Sequence, residues 1–73
     1  MGTAIDLLDV VALLVDIPQR HLLRGQVGTV VEVLAPGVFE VEFADNAGRT
    51  YELAPIPGAQ LMRLHHQPVK VAS

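Results

Sequence analysis

The stretch Arg24-Gly25-Gln26-Val27-Gly28-Thr29-Val30-Val31-Glu32-Val33 constrains this chain more than any other. Two glycines three positions apart run straight into a β-branched series. Glycine adopts backbone angles closed to other residues and lets neighbouring chains come close, while Val and Thr suit a pleated, half-buried surface. The pattern predicts a tight turn at Gly25 feeding a strand from Gln26 to Leu34. It speaks to architecture and contains no group that does chemistry.

The rest of the chain reads in the same way. Val38-Phe39-Glu40-Val41-Glu42-Phe43 alternates with period two, so Phe39, Val41 and Phe43 share one face and Glu40 and Glu42 the other. Asp45-Asn46-Ala47-Gly48 is a hairpin turn. Arg49 to Ala54 follows as a strand with Tyr51 and Leu53 inward and Glu52 outward. Pro55-Ile56-Pro57-Gly58 is expected to break the sheet, with a short 3₁₀ turn over Pro57 to Gln60. Leu61 to Leu64 makes a short last strand. Upstream, Ile5 to Leu8 is a helical or irregular turn and Asp9 to Val15 a strand, since Pro18 pushes Ile17 toward extended geometry. Pro18 to Gly25 is a loop carrying two leucines, Leu22 and Leu23, that should be buried. Five short strands punctuated by Gly and Pro predict an all-β domain, a barrel or roll, over residues 1–64, with 65–73 as a C-terminal arm or tail. Val31, Val33, Phe39, Val41, Phe43, Tyr51 and Leu53 are the expected interior.

The series Leu8-Asp9-Val10-Val11-Ala12-Leu13, then Gly25-x-x-Gly28-Thr29-Val30-Val31-Glu32-Val33, then Val41-Glu42-Phe43, Gly48 and Leu61 resembles a family of very short bacterial proteins of unknown function. The resemblance spans about Asp6 to Leu64. It implies a small five-stranded SH3-like barrel with short 3₁₀ or helical turns and no assigned activity. Every position in the pattern is glycine, apolar or a strand-edge acid, so it carries over no catalytic residue. The Gly25-x-x-Gly28 turn is loosely similar to turns of ribosomal and transcription-factor SH3-like modules, whose basic residues are missing here.

Composition bounds function. A 73-residue chain with no Cys has neither disulfides nor thiolate chemistry. A domain of this size buries only about 60% of the surface its unfolded chain exposes. Yet 51% of its residues are hydrophobic and its mean hydropathy is +0.41, so Val and Leu must reach the surface. Contiguous apolar surface on a small protein marks an interface. The start of the chain has no Lys or Arg before Arg20, which argues against a secretory leader. The oiliest run, Val10 to Val15, is closed by Asp9 and Asp16 and falls far short of the roughly 18 residues of a membrane span. The expectation is a cytoplasmic protein of bacterial type, with no membrane partner.

Chemical constellations are sparse. His21, His65 and His66 are the only imidazoles, and adjacent His65 and His66 point to opposite sides of an extended chain, so no metal site is expected. Glu40, Glu42 and Glu52 read as a solvated face rather than as an acid–base pair, which would need a carboxyl in an apolar pocket. Without Cys, and with the few hydroxyls at chain ends or in strands, no nucleophile–base arrangement can be built. The Gly25-x-x-Gly28 loop precedes a strand, not a helix, so it is not a phosphate loop. Phe39, Phe43 and Tyr51, the only aromatics, all read as core rather than as a Pro-rich-peptide groove or a stacking platform. No catalytic residue and no cofactor is expected.

The remaining reading is a small non-enzymatic interaction module that associates with itself. Val10 to Val15 lacks alternation, so both its faces want cover, and Val11, Leu13 and Val15 are the expected interface residues of a two-fold dimer. The alternatives are a module that binds a small ligand or peptide at a barrel mouth through the Pro18–Gly25 loop, and an accessory subunit of a larger enzyme, the latter by analogy with other SH3-like barrels. Nucleic acid is not an expected partner. Net charge is −3, and the five Lys and Arg are scattered with no two adjacent. A gel shift with duplex DNA at physiological salt should therefore show no complex; a tight complex that weakens steeply with added salt would contradict this reading.

Overall fold

The computed structural model describes residues 4–65. Five strands, β1 (Val10–Leu13), β2 (Val27–Ala35), β3 (Val38–Ala44), β4 (Thr50–Pro57) and β5 (Leu61–Arg63), form one antiparallel sheet in the order β4-β3-β2-β1-β5. Two 3₁₀ turns, Pro18–Arg20 and Gly58–Gln60, are the only helical elements among the described residues. The all-β reading holds, with five strands at the expected places. The expected arm lies, apart from His65, outside the described residues.

The path of the chain shows that the sheet is bent. β4 and β5 are its two edges, four strand spacings apart, or about 19 Å if the sheet were flat. The chain crosses from Pro57 to Leu61 through three residues, a reach of at most about 14 Å. The sheet must curl to bring its edges together. Its concave side then holds one core: Val11, Leu13, Val30, Phe39, Val41, Phe43, Ala54, Ile56 and Leu61 from the strands, and Leu22 from the loop. The tip of the β2–β3 hairpin closes on the second 3₁₀ turn, where the Gly58 N–H donates to the Gly37 carbonyl at 2.7 Å.

The two glycines of the opening motif act differently. Gly25 has φ +92°, the left-handed turn that the sequence predicts, and its N–H donates to the Leu13 carbonyl at 2.8 Å. Gly28 does not share that geometry. It sits in a row between Val11 of β1 and Phe43 of β3, where a Cβ would lie 2.6 Å from Val41 Cγ1 and 2.8 Å from the Glu42 carbonyl oxygen. Close approach of two strands, not backbone angle, requires glycine there.

Phe39, Val41 and Phe43 are buried as the alternation requires. Four other interior expectations are corrected. β2 carries an extra residue between Val30 and Glu32, opposite Val41 and Glu40. This bulge turns Val31 to the outside, and Val30 takes the core position. Val33 pairs with the core residue Phe39 but is itself exposed. In β4 a second bulge falls between the pairs Phe43–Glu52 and Ala44–Thr50, which leaves Tyr51 as the extra residue. From Glu52 onward the register is regular, with Val41 opposite Ala54 and Phe39 opposite Ile56, so Ala54 and Ile56 take the core parity and Tyr51 and Leu53 are exposed.

β4 also runs through Pro55 and Pro57 instead of ending before them. It can do so because it is an edge strand with one unpaired side. Leu22 is fully buried, but Leu23 is 61% exposed, so only one of the two loop leucines enters the core. β1 is shorter than expected and ends at Leu13.

Phe43 is fully buried at the centre of this core. Phe43→Ala should cost about 3–5 kcal/mol, close to the whole stability of a domain this small. A urea titration measures it, and a loss below about 1 kcal/mol would show that the core refills. Gly28→Val should lower the melting temperature sharply, because the crowding atoms belong to a central strand; a melt within a degree of wild type would refute the close approach.

Candidate functional site

The charged side chains are dispersed, and several are paired. No charged residue is buried among the described residues. Glu42 Oε2 accepts the Thr50 hydroxyl at 2.7 Å. Glu52 faces Arg20 across 3.9 Å and also accepts the Leu53 N–H at 3.0 Å. Asp9 meets Arg63 Nε at 3.2 Å and accepts the Asp6 N–H at 2.8 Å. Glu40 and Glu42 are half-buried rather than freely solvated. His21 and His65 are exposed, and His66 lies outside the described residues. No group of three or more His, Asp or Glu draws together as a metal cluster among the described residues. No described helix is long and apolar enough to cross a membrane.

The distribution of apolar surface is more informative. Eleven hydrophobic residues are buried, Ala12 among them on the convex side, and eleven large ones are exposed, so much of the chain's apolar side-chain surface is left outside its core. The register shows where part of the excess lies. One row across the convex face of the sheet reads Val27–Ala12–Met62, over β2, β1 and β5. The next reads Thr29–Val10, with Leu64 beside Val10 through its N–H to the Val10 carbonyl at 2.8 Å. Val27 is 47% and Met62 48% exposed, and neither row carries a charge over these strands. Leu14, 42% exposed, continues the face past the end of β1. Toward β3 and β4 the same face becomes acidic at Glu42 and Glu40, with Leu53 opposite Glu42.

Of the expected interface residues, Val11 and Leu13 are fully buried core and present nothing to a partner; Val15 is half-buried. β1 does lie in an apolar region on both faces, but its convex face is made by Val10 and Ala12. The parity of the strand separates the two sets. Sequence could not show which set faces outward, because both are apolar.

A second locus lies at the Pro18–Gly25 loop. The Arg24 N–H donates to Asp16 Oδ1 at 2.8 Å, and the Leu23 N–H to Gln26 Oε1, which fix the loop's shape. Gln26 Nε2 then donates to the Tyr51 hydroxyl at 2.9 Å. The Tyr51 ring, 47% exposed, tilts against Phe43 with centroids 6.5 Å apart. Exposed Leu23 and the cations Arg20 and Arg24 belong to the same loop. Tyr51 reaches the surface because the β3–β4 register gives the inward parity to Ala54 and Ile56, which the apolar pattern of the sequence does not distinguish from Tyr51 and Leu53. At the opposite side of the sheet, two shallow apolar depressions of about 540 and 350 Å³ flank Gly58 and Ala59, lined among others by Ile5, Phe39 and Met62.

No curated protein and no solved structure matches the chain. A family model does, over residues 7–63, from the turn before β1 to the last residue of β5. That span takes in every strand, both bulges and Gly28 and leaves out only the terminal residues outside 7–63, so it covers the five-stranded sheet described above. The chain belongs to the family described as Domain of unknown function (DUF4926).

Proposed function

We propose that this protein is a non-enzymatic interaction module, an SH3-like barrel that pairs with a second copy of itself through the convex face of β1, β2 and β5. The observation that carries this reading is the uncharged row Val27–Ala12–Met62, with Val10, Leu14 and Leu64 around it. The return of β5 to β1, and the three-residue 3₁₀ turn that joins it to β4, support the barrel. An isologous contact is the commonest closed solution for such a face. The carboxylates of Glu40 and Glu42 set its limit, since two copies overlapping there would bring like charges together. A stable pair needs about 1,000 Å² of buried surface in total, so the face must be used together with neighbouring exposed groups such as Leu14.

A second reading has its own observation. Tyr51, held at the surface by Gln26 beside the Pro18–Gly25 loop, forms the kind of aromatic and cationic ledge a peptide or a larger enzyme could engage. Copurification of a second protein that is lost on Tyr51→Ala, with the melt unchanged, would favour it.

Sedimentation at micromolar concentration tests the leading reading. The expected species has twice the 7.9 kDa chain mass. Val27→Asp and Met62→Glu should each return it to a monomer while circular dichroism stays that of the wild type. Val11→Asp should instead unfold the chain, because Val11 is buried in its own core. A wild type that runs as a clean monomer would remove self-association and leave the loop reading in its place.

A further inference from the structure

The outer side of β4 shows how this sheet meets other strands. In an antiparallel ladder, alternate residues turn both N–H and C=O toward the neighbour, and the others turn both away. On β2, Val30 uses its N–H and C=O toward the β1 side, donating to Asp9 at 2.9 Å and accepting from Leu8 at 2.7 Å. Its pair with Val41 on β3 is therefore of the non-bonded kind. It follows that Val41 turns toward β4, where it pairs with Ala54, and that Ala54 and Ile56 bond back to β3. Leu53, Pro55 and Pro57 are the residues whose backbone faces away from the sheet.

That outward row has no free donor. Proline has no N–H, which removes positions 55 and 57. The Leu53 N–H donates to the Oε1 of Glu52, 3.0 Å away. The other edge is short. β5 has three residues, and the Leu61 N–H already donates to the Gly58 carbonyl, which leaves Arg63 as its one outward donor.

We infer that β4 is chemically closed to strand addition, so a second copy or an extended peptide cannot lengthen this sheet past β4 and association is directed to a finite assembly on the face. Only the last clause rests on the self-pairing proposed above. The closure itself depends on Pro55, Pro57 and the Glu52–Leu53 bond. It answers a hazard that the composition creates, because a short apolar sheet with a donor-bearing edge is a template for open-ended pairing.

The double variant Pro55→Thr plus Pro57→Thr restores two outward N–H groups with residues that suit a strand. Circular dichroism checks the fold, and Pro55→Thr alone serves if the pair fails to fold. The wild type should give a finite sedimentation profile and no thioflavin signal. The variant should give species that grow with concentration and a severalfold rise in thioflavin fluorescence. The two new amides at positions 55 and 57 should become protected from exchange as concentration rises. A folded variant whose sedimentation and thioflavin response match the wild type would overturn the inference, and so would open-ended assembly of the wild type itself. Whether the wild type's finite species is a monomer or a dimer bears only on the face, so the two proposals fail separately.

Discussion

The approach of β2 to β3 at Gly28 is the constraint on which the rest of this structure depends. Gly28 stands between Val11 and Phe43, and the space its missing side chain leaves is taken by Val41, Phe43 and the Glu42 carbonyl. The two strands can pair closely there only because no Cβ intervenes. The packing of Phe43, the largest fully buried side chain, follows from it. In a domain without disulfides, this geometry replaces the covalent staple that many chains of similar length require.

The readable parts of the sequence are those where one physical signal acts alone. Phe39, Val41 and Phe43 alternate with charged residues, so period two is visible, and their burial follows. β2 is less legible because a bulge at Val31 shifts parity without leaving a mark in composition, and β4 because Tyr51 and Leu53 carry the same apolar signal as Ala54 and Ile56. Pro55 and Pro57 pointed to a break because proline cannot donate to a ladder; on an edge strand the donor is missing from the side that has no ladder. The site fared similarly. That β1 belongs to an apolar region was legible, but Val11 and Leu13 could not be told from Val10 and Ala12 without the register. Tyr51 beside Gln26 depends on a contact between residues 25 positions apart, which local pattern does not encode.

The surface follows from a shortage of interior. A sheet curled on one small core has a concave side that a few side chains fill, and Leu22 from the loop completes it. The remaining apolar residues have nowhere to go but the convex face, the β2–β3 hairpin and the loops. Their placement is not uniform. Val27, Ala12 and Met62 make an uncharged row, while Glu40 and Glu42 mark the other half of the same face with charge. A solvated face of random composition would mix the two. Segregation within one face is what a contact of limited extent requires, with an apolar centre and a polar margin.

An apolar face beside unpaired strand edges is unstable in its own way, since whatever brings two copies together by their faces also brings their edges close. Face pairing gains from burying methyl and thioether groups, and edge pairing gains from backbone hydrogen bonds; nothing in the first prevents the second. Placing proline at alternate positions of β4 separates them. It leaves the concave packing of Ala54 and Ile56 intact, because those residues bond inward, and it removes donors only where a neighbouring chain would look for them. The alternation of a strand thus divides β4 into a buried half that holds the fold and an outward half that limits its company. The proline positions share the parity of Leu53, the one outward residue that keeps an N–H, and Glu52 occupies that donor.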